Sequence, residues 1–249
     1  MTLTERERER YARHLVLPSI GEKGQEKLKA ARVLIVGVGG LGSSVALYLA
    51  GAGVGKIGLI DDDVVGFSNL QRQVVHGGAS LDRPKVESAA ARLLDLNSDI
   101  DVETFAERFD RESSRRIASS YDLIVDGADN FETRYAINDV CLDFEIPYVY
   151  GAVFRLEGQL SLLCTSDGPC YRCLFPEPPP PDSVLSGEQA GILGAVPGTI
   201  GTLQATETIK WIVGIKPDLA GRLLVYDSRS LRFEEIAVER NPDCPACGN

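Results

Sequence analysis

The chain has 249 residues, 44% hydrophobic and 25% charged, the composition of a folded globular protein with room for one sizeable core. A formal net charge of −10 excludes a general affinity for nucleic acid, because no basic excess is present to displace phosphate counterions. No apolar run approaches the ~20 residues that span a bilayer, and the charged opening TLTERERERYARHL does not read as a secretion signal, so a cytoplasmic location is expected.

Residues 4–14 read as a charged helix, with Thr4 and Glu7 spaced as a capping box. A short helical stretch from Gln25 to Ala30 precedes Arg32–Val36, an apolar run of the kind that forms a buried parallel strand. Next come GVGGLG (37–42), the helix-forming SSVALYLAGAG, and the strand KIGLI (56–60), which ends on Asp61. Strand, glycine turn, helix, strand and acid in that order make one βαβ unit. Residues 84–96 form an amphipathic helix with Pro84 at its start. Residues 101–105 form a strand, and YDLIVDGAD (121–129) is a strand running into a turn. The helix ETRYAINDVCLDFE and the strand IPYVYGAVF follow.

From about residue 150 the pattern changes. GQLSLLC (158–164) and the runs RLLVYDS and LRFEEIAV within 222–238 read as antiparallel strands, with the helix TIGTLQATETIKWIVG between them. PEPPPP (176–181) breaks regular structure, and the segment through Pro197 reads as a long surface loop or crossover. The fold class is therefore α/β: a Rossmann-like, doubly wound, mostly parallel sheet continued by an antiparallel extension.

Gly37, Gly39, Gly40 and Gly42 lie between a strand and a helix, the context that gives G-x-G-x-x-G its meaning. Glycine lets the chain turn sharply and lets phosphate approach peptide N–H groups at a helix N-terminus. Asp61 follows Gly42 by 19 residues, which suits a carboxylate accepting from ribose hydroxyls. The motif alone favours NAD or FAD and does not decide the chemistry.

Three further features point elsewhere. Asn69-Leu-Gln-Arg72-Gln73 follows the second strand, Lys85 opens the next helix, and Asp129-Asn130 ends the strand 121–129. The carboxyl ends of parallel strands share one edge, so Asp61 and Asp129 should converge with the glycine loop. Arg72 and Lys85 could then offset phosphate charge, and Asp129 could hold Mg²⁺ through oxygen. Taken singly, each has a plainer reading: a solvated charge for Arg72 or Lys85, a helix N-cap for a strand-end Asp.

Six cysteines also need a use in a compartment where stable disulfides are rare. Cys170-x-x-Cys173 and Cys244-x-x-Cys247 are two CxxC pairs, and two such pairs can close a tetrahedral thiolate shell around a structural Zn²⁺. The metal would tie the C-terminal tail to the sheet extension. Redox use of CxxC is the rival, but thioredoxin-like context is missing. Cys141 falls in a helical stretch and Cys164 in a strand, where both read as small buried residues.

RYARHLVLPSIGEKGQEKL (10–28), VLIVGVGGLGS (33–43), SNLQRQVVH (68–76), RPKVESA (83–89) and DGADNFETR (126–134) closely resemble the ubiquitin-activating-enzyme-like adenylyltransferases of molybdopterin and thiamine biosynthesis. So do GAVFRLEGQLS (151–161), PCYRCLFP (169–176), GTIGTLQATETIK (198–210) and NPDCPACG (241–248), so the resemblance covers almost the whole chain. It implies one domain over 1–249, with a nucleotide-binding part at about 30–150 and a carrier-binding and zinc part at about 151–249. It further implies ATP-dependent, Mg²⁺-dependent adenylation of the C-terminal Gly-Gly carboxylate of a ubiquitin-like sulfur-carrier protein, by a homodimer in which each site borrows an arginine from the other subunit. Arg13 stands at that position, with Asn69, Arg72, Gln73 and Lys85 on ATP and Asp129 supporting the metal-bound triphosphate. The nucleotide set is then Gly37, Gly39, Gly40, Gly42, Asp61, Asp63, Asn69, Arg72, Gln73, Lys85, Asp129 and Asn130, and the catalytic set Arg13, Arg72, Lys85 and Asp129.

Two departures stand out. Many members carry a cysteine before the motif AG(V/I), used in a covalent step with the carrier. Aligned on Ala190-Gly191-Ile192, this chain has Gly187 there, so adenylation without covalent capture is expected, with sulfur transfer left to a separate sulfurtransferase. Asp61-Asp62-Asp63 replaces the more usual D-x-D with a non-acidic middle residue. Other readings stay open: another carboxylate, such as a peptide C-terminus or a modified tRNA base, a nicotinamide dehydrogenase, or a pseudo-enzyme that holds a partner.

Overall fold

The computed structural model describes residues 2–180, 190–216 and 218–248. The capping box at the N-terminus is formed. Thr4 Oγ1 accepts the Glu7 N–H at 3.2 Å, and the Glu7 carboxylate accepts the Thr4 N–H at 2.7 Å, opening α1 (Glu5–Arg10). α2 (Ala12–Leu15) and α3 (Gly21–Ala30) follow, α3 starting earlier than the expected Gln25.

One eight-stranded sheet runs in the order β3-β2-β1-β4-β5-β6-β7-β8. β1 (Arg32–Val36), β2 (Lys56–Ile60), β3 (Asp101–Phe105), β4 (Leu123–Asp126) and β5 (Tyr148–Phe154) pair in parallel. β6 (Glu157–Leu163), β7 (Arg222–Asp227) and β8 (Arg232–Ala237) continue from β5 as an antiparallel meander. The sequence boundary near residue 150 falls inside β5, so nucleotide half and extension share a strand.

Side-chain alternation explains the continuous apolar strands. Val33 and Ile35 of β1 enter a core with α4 (Gly40–Ala52), α5 (Lys85–Leu96) and α9 (Ala195–Val213). Leu34 and Val36 enter a second core with α6 (Arg111–Ala118) and α7 (Phe131–Phe144). Covered on both faces, a parallel strand has no reason to alternate polar with apolar residues.

Three details differ from the sequence reading. α6 was not foreseen: half of RESSRRIA is charged, and its start is set by Asp110, whose carboxylate accepts the Glu112 and Ser113 N–H groups. α9 begins at Ala195, so Pro197 is helical and not part of the crossover; in a first turn the missing N–H has no partner to lose. Pro84 caps α5 from just outside it. Among the described residues, no helix is long and apolar enough to cross a membrane.

Candidate active site and thiolate cluster

β1 pairs with β2 on one side and β4 on the other, so chain order reverses between β1 and β4. A crevice outside the carboxyl ends of the strands is expected at such a point. A cavity of about 1090 Å³ lies there, lined after β1 by Gly37 and Gly39, after β2 by Asp61 and Asp63, and after β4 by Gly127 and Asp129.

The turns after β1 and β4 touch. Gly37 has φ +88°, and a Cβ on it would sit 2.7 Å from the Gly127 carbonyl oxygen. A Cβ at Gly42 would overlap the Gly37 carbonyl oxygen. Gly42 does not line the cavity; its place in the nucleotide set reduces to letting α4 close on the turn. The other expected nucleotide residues all line the cavity: Gly37, Gly39, Gly40, Asp61, Asp63, Asn69, Arg72, Gln73, Lys85, Asp129 and Asn130.

Their bonds separate the groups that hold the loop from those free to meet a ligand. Asp61 accepts the Val38 N–H at 2.7 Å and the Asp63 N–H at 2.9 Å. Burial pushes its carboxyl up, against the pull of Lys85 and these two N–H groups. Both oxygens thus already hold the loop. Lys85 is buried, with Nζ 2.6 Å from Asp63 and 3.8 Å from Asp61. Asn69 accepts the Gly66 N–H at 2.9 Å, and Asn130 caps α7 by accepting the Thr133 N–H at 2.9 Å.

Arg72 and Gln73 are less satisfied. Arg72 donates to the Ser68 carbonyl at 3.2 Å, and no carboxylate lies within ion-pair distance among the described residues. Gln73 is buried, yet its Oε1 lacks a partner among them. Buried polar atoms are nearly always satisfied, so a cavity-wall acceptor of this kind fits a hydroxyl, amino or water donor. Arg13 lies on exposed α2, outside the cavity, without an ion-pair partner among the described residues. Its neighbours differ: Arg6 and Arg10 reach Asp99, and Arg8 pairs with Glu22.

Sequence reasoning gave no role to the groups that hold the Asp129 turn. Asp126 is fully buried; it accepts the Ala128 N–H at 2.8 Å and the Tyr148 hydroxyl at 2.7 Å. Arg134 reaches the same carboxylate at 3.3 Å and donates to the Ala128 carbonyl at 2.8 Å. Ala128 is therefore clamped from both sides, which presents Asp129 to the cavity. Burial pushes the Asp126 carboxyl up, against the guanidinium beside it. A signal was present: Asp126 ends the otherwise apolar strand LIVD, and a charge there needs a partner.

Tyr150, Tyr171 and Phe175, which also line the cavity, form an aromatic wall with ring centroids 5.0–6.2 Å apart. Tyr171 opens α8 (Tyr171–Leu174), directly after Cys170. Sγ of Cys170 lies 3.6 Å from that of Cys244 and 3.9 Å from that of Cys173, and Cys173 lies 3.4 Å from Cys247. All four sulfurs fall within 4.8 Å of one another. Zn–S bonds of ~2.3 Å in a tetrahedron put sulfurs ~3.8 Å apart, whereas a disulfide needs ~2.05 Å. The cluster has metal spacing. The Asn241 N–H supports Cys173 Sγ at 3.4 Å. The remaining cysteines, Cys141 and Cys164, are buried, and burial pushes both thiols well up. Gly187 lies outside the described residues.

The chain belongs to the ThiF family, whose model matches residues 11–246. It is 48% identical over 240 residues to the SAMP-activating enzyme E1 of Haloferax volcanii, covering 96% of this chain and 88% of that protein. It is 44% identical over 254 residues to a sulfur carrier protein adenylyltransferase of Thermus thermophilus, covering 100% and 94%. A third relative, the adenylyltransferase and sulfurtransferase MOCS3 of Anopheles gambiae, is 47% identical over 239 residues; the match covers 96% of this chain but only 54% of that longer protein. Among solved structures, E. coli MccB with ATP superposes with a TM-score of 0.84 at 26% identity, over 96% of this chain and 73% of that one.

Proposed function

We propose that the chain uses ATP to adenylate the C-terminal Gly-Gly carboxylate of a ubiquitin-like sulfur-carrier protein, releasing pyrophosphate. The observation that carries this is the convergence on one cavity of the glycine loop, Arg72, Lys85 and Asp129, in a chain whose near-full-length relatives bear the names of carrier-activating enzymes.

The chemistry matches these residues. A C-terminal carboxyl has a pKa of ~3.3–3.7 and is ionised at neutral pH, so the nucleophile needs no general base. Accordingly, neither His14 nor His76 lines the cavity. The obstacle is an anion approaching a polyanion. Arg72 and Lys85, with Arg13 from the second subunit of a homodimer, would lower that repulsion and steady charge on the α-phosphate and departing pyrophosphate. Asp129, held by the Ala128 clamp, would carry Mg²⁺. The ion would neutralise triphosphate charge.

Zn²⁺ would sit among Cys170, Cys173, Cys244 and Cys247 as a structural ion. With those four committed and Cys141 and Cys164 buried, no thiolate remains for covalent capture. The reaction would stop at the acyl-adenylate, and a separate sulfurtransferase would act next. The test is ATP–pyrophosphate exchange: it should depend on the Gly-Gly carrier and fall by ~10²–10³ in Asp129→Ala. Undiminished exchange in that variant would sink the catalytic assignment. A peptide carboxylate is the second reading, kept open by the superposition on E. coli MccB with MccA-N7isoASN; exchange driven by a free peptide and not by a carrier would select it.

A further inference from the structure

Neither histidine has a part in the chemistry above, yet His76 is buried where three nucleotide-facing segments meet. Its Nε2 lies 3.1 Å from the Val38 carbonyl oxygen, inside the glycine loop. Its Nδ1 lies 2.9 Å from Ser88 Oγ, one turn beyond Lys85 on α5. Its own backbone N–H donates to the Gln73 carbonyl at 3.1 Å. A carbonyl can only accept, so Nε2 carries the proton; Nδ1 of a neutral ring then accepts a hydrogen bond from the Ser88 hydroxyl. That assigns the tautomer from the partners.

We infer that His76 is a positioning residue for ATP: as the neutral Nε2–H tautomer it fixes the Val38 peptide, and with it the phosphate-facing loop, in register with Gln73 and Lys85. Val38 is held on both sides. Its N–H goes to Asp61 at 2.7 Å and its C=O to His76. With its C=O freed, the Val38–Gly39 peptide plane could rotate, and the Gly39 N–H would turn with it. Burial also lowers the pKa of the ring, keeping it neutral. This inference rests on the ATP site proposed above, but its tautomer does not.

The experiment pairs two readouts on the full chain. Ring-nitrogen NMR of the wild-type protein at neutral pH should show His76 protonated at Nε2 alone; a proton on Nδ1 alone, or on both nitrogens, overturns the proposal without reference to ATP. Binding of α,β-methylene ATP with Mg²⁺ should weaken about tenfold in His76→Phe, which keeps the volume and loses both bonds. His76→Gln, which can still donate to Val38, should recover most of that affinity. Binding within twofold of wild type in His76→Phe overturns the proposal, as does a Gln variant no better than Phe. If wild type fails to bind the analogue, the ATP reading falls, and the NMR result still decides the clamp. Should His76→Phe not fold, Ser88→Ala and the wild-type tautomer carry the test, with a severalfold weakening expected in Ser88→Ala and an unchanged affinity counting against the clamp.

Discussion

Every residue of β4 is buried, whereas every residue of β8 is exposed. The parallel half is held by two apolar cores, one on each face of the sheet. The extension thins outward: β7 is mostly half-buried, and on β8 Phe233 stacks on Tyr226 at 4.6 Å. Its tail then returns to the core, where Cys244 and Cys247 meet the α8 knuckle. The parallel half and β6 are fixed by distributed burial, β7 and β8 by hairpin pairing plus one point of attachment. Loss of a single feature should therefore be local in the extension and global in the parallel half.

Metal removal is the largest expected effect. Structural zinc contributes on the order of 10 kcal/mol of folding free energy in small modules. Wild-type protein should contain about one zinc per chain; after chelation, hydrogen exchange should accelerate in β7, β8 and the tail while β1, β2 and β4 stay protected. Uniform loss of protection would break the comparison, and a metal-free chain with normal exchange would remove the zinc.

Next is Arg134→Met. It leaves the Asp126 carboxylate fully buried without its cation, which costs ~3–5 kcal/mol, read as a lower Tm and a single cooperative transition. Gly42→Ala follows, at ~1–3 kcal/mol, because the new methyl overlaps the Gly37 carbonyl. ATP affinity should fall with stability, although Gly42 does not touch the cavity. An unchanged affinity would show that the loop tolerates displacement.

The smallest effect belongs at the parallel edge. Hydrogen bonds from Lys56 and Tyr121 hold Glu103 below its usual 4.5. Its contribution is full above pH 4.5 and is lost as pH falls through the lowered folded value. At 2.7 Å from Lys56 but 43% exposed, the pair is screened by solvent, and Glu103→Gln should cost no more than ~0.5 kcal/mol at pH 7. Denaturant titrations should show the gap between the two proteins closing on acidification; a gap that widens would contradict the sign.

The same contrast explains what the sequence disclosed. β1 and β2 were legible to the residue because a doubly covered strand is a bare apolar run with glycine punctuation. The convergence of Asp61 and Asp129 on one cavity followed from strand polarity, which forces them onto one edge. Asp126, Arg134 and His76 stayed without a role because their partners lie on other segments, and spacing along a chain does not record a clamp across it. α6 was missed because only one face of a short charged helix touches the core. Asp61 and Asn130 lie in the cavity wall as expected, but their bonds serve the loop and a helix cap.

The central claim is that a carrier carboxylate receives AMP and the reaction halts there. A single turnover with α-phosphate-labelled ATP, Mg²⁺ and a Gly-Gly carrier tests it directly. One labelled adenylate per active site is expected on the carrier, none on a carrier lacking its terminal glycine, and no enzyme–carrier conjugate. An unlabelled carrier, or a conjugate released by thiol, would contradict it.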